Sequence, residues 1–359
     1  MKKYYYNIDF LRCMLCISVL IVHFRKVLLL NPDFKNIMVY KILLEIRGNS
    51  LCVDCFFVLS GFFMFLTTDF GQTIINFIRK KLVRLLPLVI FATIPSLLGY
   101  CIYKQTFTFI FDDIWILFML QCVGFTRKII TLGNTWFVSV LFWVSCFYFY
   151  LYKITDKKIF NFITACMVYF CYIFYVNSYL VNYKSPFYTA DIFNYGVIRG
   201  LAGIGSGYFI YTLYQSIAKK SAADIIPTSK KILYTIIETI LFIFILVNLL
   251  YRNITFGNHL LVILSFLFII ILFLMKKGFL SNLLNKKIFQ FLGRYTYSIY
   301  ITHVLVRDFC KYIVYKHPDI TFRHPVLCVI ISMITVVAVG IFGYHFIEKP
   351  ATKYFKLNK

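Results

Sequence analysis

Charged side chains are scarce in this chain of 359 residues. Asp, Glu, Lys and Arg make up 14% of it, whereas an ordinary soluble domain carries about a quarter. Acidic residues are the rarer sign, with 14 Asp and Glu against 38 Lys and Arg. Hydrophobic residues reach 61%, including 41 Phe and 28 Tyr. A soluble core cannot bury that much apolar surface, so the composition excludes a soluble globular protein and predicts a polytopic membrane protein.

Long polar linkers, low-complexity tracts and internal repeats are also missing from the sequence. Apolar runs dominate instead, and ten of them are long enough to cross a bilayer of roughly 30 Å as helices. They cover residues 8–30, 50–68, 85–103, 135–152, 159–181, 195–217, 232–251, 257–275, 288–310 and 325–346. An eleventh run, 107–124, contains Asp112 and Asp113 and is interpreted as interfacial or re-entrant. We therefore predict one all-α membrane domain over residues 1–359, with about ten transmembrane helices, a central cavity and no appended soluble domain.

The positive charge follows the predicted loops. The formal net charge is +24, and Lys and Arg are dense in the short loops that lie inside if the N-terminus is cytoplasmic. Bilayer proteins concentrate these residues on the cytoplasmic side. Both termini are therefore predicted to be cytoplasmic, and the charge indicates topology rather than nucleic-acid binding.

Two patterns suggest ligands that the context does not support. The eleven cysteines, including Cys13-x-x-Cys16 and Cys52-x-x-Cys55, fall mostly in apolar runs, where cysteine behaves as a small apolar side chain; we expect no metal site and no disulfide framework. The glycine-rich segment 199–207 is similar to a phosphate loop, but it lies within a predicted span. There, small residues more often allow close helix packing.

Ionisable residues inside spans are costly, so each is a candidate functional residue. Arg12 and His23 lie eleven positions apart on the first span. That spacing puts both on one helix face, about 16 Å apart along the axis. Asp9, three residues before Arg12, is predicted to pair with it.

Depth along the predicted spans sorts the other polar residues into two layers. Arg12, Lys80, Lys81, Arg84 and Arg294 are predicted near the cytoplasmic face. His303 is predicted at about the depth of His23, and the same deeper pocket is predicted to contain Asp54, Ser60, Trp136, Ser139 and Tyr300. A donor with a phosphate head and a long reactive arm would suit this arrangement, because Arg and Lys bind phosphates and a histidine can remove a hydroxyl proton. Spacing alone also allows a structural role, with His23 bonding between helices and Arg12 snorkelling to the interface.

Six motifs, in order along the chain, resemble those of the acyltransferase-3 family, bacterial integral-membrane O-acyltransferases that modify envelope and exported glycans. They are Arg12-x10-His23, the segments 53–61, 79–87 and 134–139, the segment 293–303 ending in His303, and the segment 346–350. Two positions depart from the family pattern. Lys81-x-x-Arg84 replaces Arg-x-x-Arg, and Leu141 and Phe142 stand where many members carry an acidic pair.

The resemblance implies an enzyme of the bacterial cytoplasmic (inner) membrane. Its donor would be cytoplasmic acyl-CoA, with acetyl-CoA expected, used as a co-substrate with no bound cofactor. Its acceptor would be a hydroxyl of a polysaccharide or of its lipid-linked precursor, and other glycan-assembly proteins are candidate partners. Arg12 and His23 would be the essential pair, with the Lys81-x-x-Arg84 region assisting the donor. The predicted depth of Lys80 and Arg294 adds these two residues to the donor site.

Our mechanistic hypothesis is direct transfer, with His23 as general base oriented by Asp54. His303 and Tyr300 would help to position the reactants. A covalent acyl-histidine remains an alternative chemical route. The alternative function is a transporter or flippase for a lipid-linked glycan, in which the buried polar residues would line a permeation path. A third is an inactive scaffold in a glycan-assembly complex.

Overall fold

The computed structural model describes residues 4–28, 51–105, 113–123, 132–181, 189–190, 193–220, 227–250, 256–316 and 325–357. A helix occurs at each of the ten predicted positions, together with shorter elements between them. The helices are α1 (Tyr6–Leu28), α2 (Leu51–Thr67), α3 (Ile74–Lys104), α4 (Trp136–Ile154), α5 (Lys157–Val181), α6 (Tyr195–Lys220), α7 (Thr228–Leu250), α8 (Phe256–Met275), α9 (Phe279–Leu283), α10 (Lys287–Gly293), α11 (Thr296–Lys316), α12 (Pro325–Gly343) and α13 (Lys349–Leu357).

Six of these helices are long and apolar enough to cross a membrane. The qualifying stretches are Tyr6–Phe24, Ile74–Ile102, Trp136–Ile154, Lys157–Tyr175, Thr228–Leu250 and Leu327–Tyr354. Two shorter apolar stretches, Leu51–Thr67 and His259–Met275, accompany them. The chain is therefore a multi-pass helical membrane protein, while the count of ten spans and the cytoplasmic termini stay predictions.

Non-helical structure is limited in the described ranges. A two-stranded antiparallel hairpin pairs β1 (Thr189–Ala190) with β2 (Phe193–Asn194) directly before α6. The described part of the run 107–124 contains a single 3-10 turn, Ile114–Ile116, followed by turns. A π-helical turn, Tyr344–Glu348, joins α12 to α13.

The outer helices present apolar side chains outward, as lipid requires. On α7 the buried residues are Glu238, Ile245 and Leu249, while Ile236, Ile240 and other large apolar side chains of that helix are exposed. The interior lies between α1, α2, α4, α6, α8 and α11, which together supply most of the main buried cluster. Aromatic residues thus lie both in the core and on the outer surface.

Helices α2 and α6 approach each other closely. A Cβ atom on Gly61 would overlap the Ile204 backbone, and one on Gly207 would overlap the backbone of Val58 and Phe62. Glycine at these crossings lets two backbones touch. The glycine-rich segment 199–207 is therefore a packing surface, which confirms the prediction of close helix packing there.

Candidate active site

A cavity of about 400 Å³ lies where α1, α2, α3, α4 and α11 converge. On α2 its lining residues run from Phe56 to Thr67, a distance of about 16 Å along the helix. The two ends of the cavity differ in chemistry, so it can bind a long molecule with a polar head and a less polar tail.

The first end is basic. Its charged lining residues are Arg12, Asp69, Lys80, Lys81 and Arg84, four cations against a single carboxylate. The Lys80 ammonium contacts the Gln72 side-chain oxygen, which also lines this end. The Lys81 ammonium donates to the Ser145 hydroxyl at 3.3 Å. Such a concentration of donors with few anions favours an anionic ligand.

Arg12 projects from α1 into the wall of the cavity. Its guanidinium forms an ion pair with Asp9 at 3.3 Å, which confirms the predicted pairing, and its Cζ atom lies 4.6 Å from the centre of the Phe63 ring. The Tyr4 hydroxyl donates to the other Asp9 oxygen at 2.6 Å. Partial burial of Tyr4, together with the Asp9 carboxylate, raises the pKa of its phenol, so this hydroxyl stays a donor at neutral pH. Asp9 and Phe63 therefore hold Arg12 in position while leaving part of its guanidinium available.

The second end of the cavity is aromatic. Phe56, Phe137 and Tyr300 meet there, with ring centres 5.3 Å (Phe137 to Tyr300), 6.0 Å (Phe56 to Tyr300) and 6.1 Å (Phe56 to Phe137) apart. Asn134 fixes this wall, because its side-chain amide donates to the Tyr300 carbonyl at 2.6 Å. Ser60 lines the cavity between the two ends.

A pair of histidines lies directly behind Tyr300. The His303 ring centre is 5.5 Å from that of Tyr300 and 4.9 Å from that of His23, with the two imidazoles nearly perpendicular. A guanidinium nitrogen of Arg307 lies 3.1 Å from His23 Nδ1. His303 is fully buried, and its Nε2 atom has no hydrogen-bond partner among the described residues. A buried polar atom left unsatisfied costs about 1–3 kcal/mol, so this one requires an explanation.

Asp54 belongs to a different cluster. Its carboxylate accepts from Arg199 Nε at 2.7 Å, and its second oxygen lies 3.6 Å from His259 Nε2. The rings of Trp136 and Tyr175 lie 5.1 and 5.2 Å from the Arg199 guanidinium. The prediction that Asp54 orients His23 is therefore wrong. Asp54 forms a buried ion pair with Arg199 instead. The cause is the packing of α6 and α8 against α2, which brings two basic side chains to Asp54.

Three more predicted site residues lie off the cavity lining. Arg294 is exposed after α10 and its guanidinium lies 5.6 Å from the Phe291 ring, so it does not line the donor cavity as predicted. Trp136 packs on Arg199, and the Ser139 hydroxyl donates to Gln121 at 3.2 Å. The geometry of α4 explains the position of Ser139. Phe137 and Leu141, four residues apart, point toward the cavity, and Ser139 lies on the opposite face of the helix.

Arg307 and His259 were not predicted as site residues, although a signal was present. Each is an ionisable residue inside a predicted span, 288–310 and 257–275, and that rule alone makes it a candidate. The partners of these two residues could not be predicted from the sequence in the same way. The contacts of Arg307 with His23 and of His259 with Asp54 join helices far apart in sequence.

Metal binding has no structural support in the described ranges. They contain no group of three or more His, Cys, Asp or Glu side chains arranged to bind an ion. Cys13, Cys16, Cys52 and Cys55 are buried free thiols.

Taken together, the fold and the cavity define a multi-pass membrane protein with a cation-rich internal site next to a histidine pair. The acyltransferase-3 family model, described as an acyltransferase domain, matches residues 5–344. The chain therefore belongs to the acyltransferase-3 family and is a membrane acyltransferase. No curated protein and no solved structure matches the chain.

Proposed function

We propose that this protein transfers an acyl group, acetyl in the first instance, from acyl-CoA to a hydroxyl of a cell-envelope or exported polysaccharide or of its lipid-linked precursor. The observation that carries the proposal is the cavity itself: it is basic at one end, aromatic at the other, and followed by two adjacent histidines. We propose the bacterial inner membrane as its location.

The donor would bind with its phosphates at the basic end. Arg12, Lys80, Lys81 and Arg84 offer charge-assisted hydrogen bonds there, and arginine can bind a phosphate with two parallel bonds. The pantetheine arm would then follow α2 toward Phe56 and Tyr300. The two ends of the cavity are about 16 Å apart. The phosphates, which are held, and the thioester, which reacts, would therefore lie at opposite ends. The basic end would face the cytoplasm, where acyl-CoA is available.

The acceptor hydroxyl would meet the thioester at the histidine pair. His23 is partly exposed and His303 is buried behind it, so a hydroxyl would approach the pair from the His23 side, while the thioester would be held at the Tyr300 side. Two imidazoles in contact can supply both a hydrogen-bond donor and a proton acceptor at neutral pH.

A flippase would require a continuous polar path instead. In the described residues the cavity ends at three packed aromatic rings, Phe56, Phe137 and Tyr300. This observation favours an enzyme that admits the donor from one side over a channel for a glycan.

Ester analysis of envelope glycans tests the proposal. A strain lacking this chain should lose base-labile acyl esters from one glycan while that glycan is still exported at normal length. Complementation with the wild type should restore the esters, and complementation with Arg12→Ala at equal membrane abundance should restore far fewer. Loss of export with an unchanged ester content on the remaining glycan would contradict the enzyme and support the flippase.

A further inference from the structure

A short turn, residues 68–73, joins α2 to α3 at the basic end of the cavity. Three polar residues of this turn line the cavity, Thr68, Asp69 and Gln72. The turn follows Thr67, the last residue of α2, whereas the aromatic end of the cavity is reached at Phe56 on the same helix. It therefore forms the part of the cavity wall at the opposite end from the aromatic rings.

Contacts with α4 hold the backbone of this turn. The Phe70 ring stacks on that of Phe149, with ring centres 5.4 Å apart and planes at 16°, and its centre lies 4.3 Å from that of Tyr152. The Lys153 ammonium donates to the Gln72 carbonyl at 2.8 Å. The polar side chains of the turn are therefore presented to the cavity from a fixed backbone.

Asp69 is the only carboxylate among the described residues that line the cavity. Its Oδ1 atom accepts from the Gly71 backbone N–H at 2.9 Å. Its Oδ2 atom has no hydrogen-bond or ion-pair partner in the described part of the chain, although four cations line the same cavity. Because the side chain is also exposed, Oδ2 is open to a ligand.

The chemistry of this oxygen limits which part of a donor it can bind. A carboxylate only accepts hydrogen bonds, so Asp69 suits an N–H or O–H group and repels a phosphate. Acyl-CoA carries such groups on its pantetheine arm, between the phosphates and the thioester, and on its adenosine, on the other side of the phosphates. With the thioester at the Phe56 end and the phosphates at the cations, adenosine is the part that extends to Asp69.

Resting on the proposed function, we infer that the turn 68–73 binds the adenosine end of acyl-CoA and that Asp69 determines specificity for it. The Oδ2 atom of Asp69 accepts a hydrogen bond from the nucleoside, either from the exocyclic amine of adenine or from the 2′-hydroxyl of the ribose. A carboxylate in a cation-rich site also disfavours phosphate esters that bring no such donor. The site thus selects a complete nucleotide carrier over a simple acyl or phosphate compound.

A donor without adenosine separates this role from general binding. S-acetyl-4′-phosphopantetheine keeps the thioester arm and one phosphate, and Asp69→Asn keeps an oxygen for the Gly71 N–H while replacing Oδ2 by an NH₂ group. With the purified protein in nanodiscs and the cognate glycan, Asp69→Asn should raise KM for acetyl-CoA about 10-fold or more, because a hydrogen bond to a charged group is lost. KM for the truncated donor should not rise, and kcat with acetyl-CoA should stay unchanged.

The direction of the change distinguishes recognition from simple repulsion. If Asp69 acted only as a negative charge beside the phosphates, Asp69→Asn would lower KM for both donors. The matched control is Asp156→Asn, which neutralises an exposed carboxylate next to α5 and outside the cavity lining. Its KM for each donor should stay within about twofold of the wild type, because exposed charges away from the ligand are screened.

Two analogues of acetyl-CoA identify the bound group and need only the wild-type protein. The hypoxanthine analogue lacks the exocyclic amine, and the 2′-deoxy analogue lacks the hydroxyl. One of them should have a KM about 10-fold above that of acetyl-CoA, again through loss of one charged hydrogen bond, and Asp69→Asn should not distinguish that analogue from acetyl-CoA.

Three results would overturn the inference. They are an unchanged or lower KM for acetyl-CoA in Asp69→Asn, an equal rise for the truncated donor, and wild-type use of both analogues as efficiently as acetyl-CoA. A wild type that transfers no acyl group from any donor would contradict the proposed function instead, which is a separate result.

Discussion

Two buried polar clusters on neighbouring helices differ in how their charge is balanced. Around Asp54, the carboxylate bonds to Arg199 at 2.7 Å and aromatic rings face the guanidinium. Beside His303, the cavity contains four cations against one carboxylate. Charge that is balanced inside the protein maintains the fold, whereas an excess of one sign beside a cavity attracts a ligand of the opposite sign. We therefore assign the Asp54 cluster to stability, and the cavity with the histidine pair to chemistry.

The largest effect is expected from breaking the Asp54 cluster. Arg199→Ala leaves a buried carboxylate without its partner, which costs about 3–5 kcal/mol. The unfolding free energy in detergent should fall by that amount, and less folded protein should be recovered from membranes. The double variant Asp54→Leu with Arg199→Leu should recover much of the loss, because no buried charge remains. If the Arg199→Ala protein were fully stable but showed altered acyl transfer, the Asp54 cluster would serve the chemistry and not the stability of the fold.

Arg12→Ala should affect the donor rather than the fold. Charge-assisted hydrogen bonds contribute about 1.5–3 kcal/mol, so KM for acyl-CoA should rise about 10- to 100-fold. Arg12→Lys should fall between this variant and the wild type, because it keeps the charge and loses the planar geometry. Steady-state kinetics at several acyl-CoA concentrations measure the change. An unchanged KM together with a large loss of stability would assign Arg12 to structure.

Arg84 and Arg294 form a matched pair, since both are exposed arginines of the predicted donor site and only Arg84 lines the cavity. Arg84→Ala should raise KM for acyl-CoA about tenfold, by loss of one charge-assisted contact. Arg294→Ala should change it less than about twofold. Equal effects of the two substitutions would show that the basic end extends beyond the described cavity.

The smallest effect is expected at the aromatic end, on selectivity. Tyr300→Leu shortens the wall between the cavity and the histidines and leaves room for a longer acyl chain. The ratio of kcat/KM for butyryl-CoA to that for acetyl-CoA should rise by about 10-fold, since one methylene in an apolar pocket changes discrimination by about 1–3 kcal/mol. A parallel series with acetyl-, propionyl- and butyryl-CoA provides the measurement. An unchanged ratio would mean that the acyl group does not reach Tyr300.

Predictions from the sequence were accurate where they depended only on the positions of residues within one helix. The ion pair between Asp9 and Arg12 follows from a spacing of three residues, and α1 carries Arg12 and His23 on one continuous helix. Equal predicted depth also anticipated the contact of His23 with His303. Hydropathy located the helices because lipid-facing and buried segments are both strongly apolar in this chain.

Predictions failed where the rotation of a helix or the neighbour across a packing surface decided the outcome. The sequence predicts that Asp54 orients His23, yet the close approach of α6 to α2 at Gly61 and Gly207 brings Arg199 to Asp54 instead. The sequence predicts Ser139 in the pocket, but α4 turns its opposite face toward the cavity. A single sequence states which residues share a face, but not which neighbouring helix that face meets.

Acyl transfer by the purified protein in proteoliposomes tests the central claim most directly. The vesicles contain the lipid-linked glycan, and the donor is acetyl-CoA labelled in the acetyl group. We predict that label appears on the glycan as an ester released by mild base, and that this label is strongly reduced in Arg12→Ala and in His303→Asn. Label that remains on CoA, while the glycan moves across the bilayer, would contradict the account.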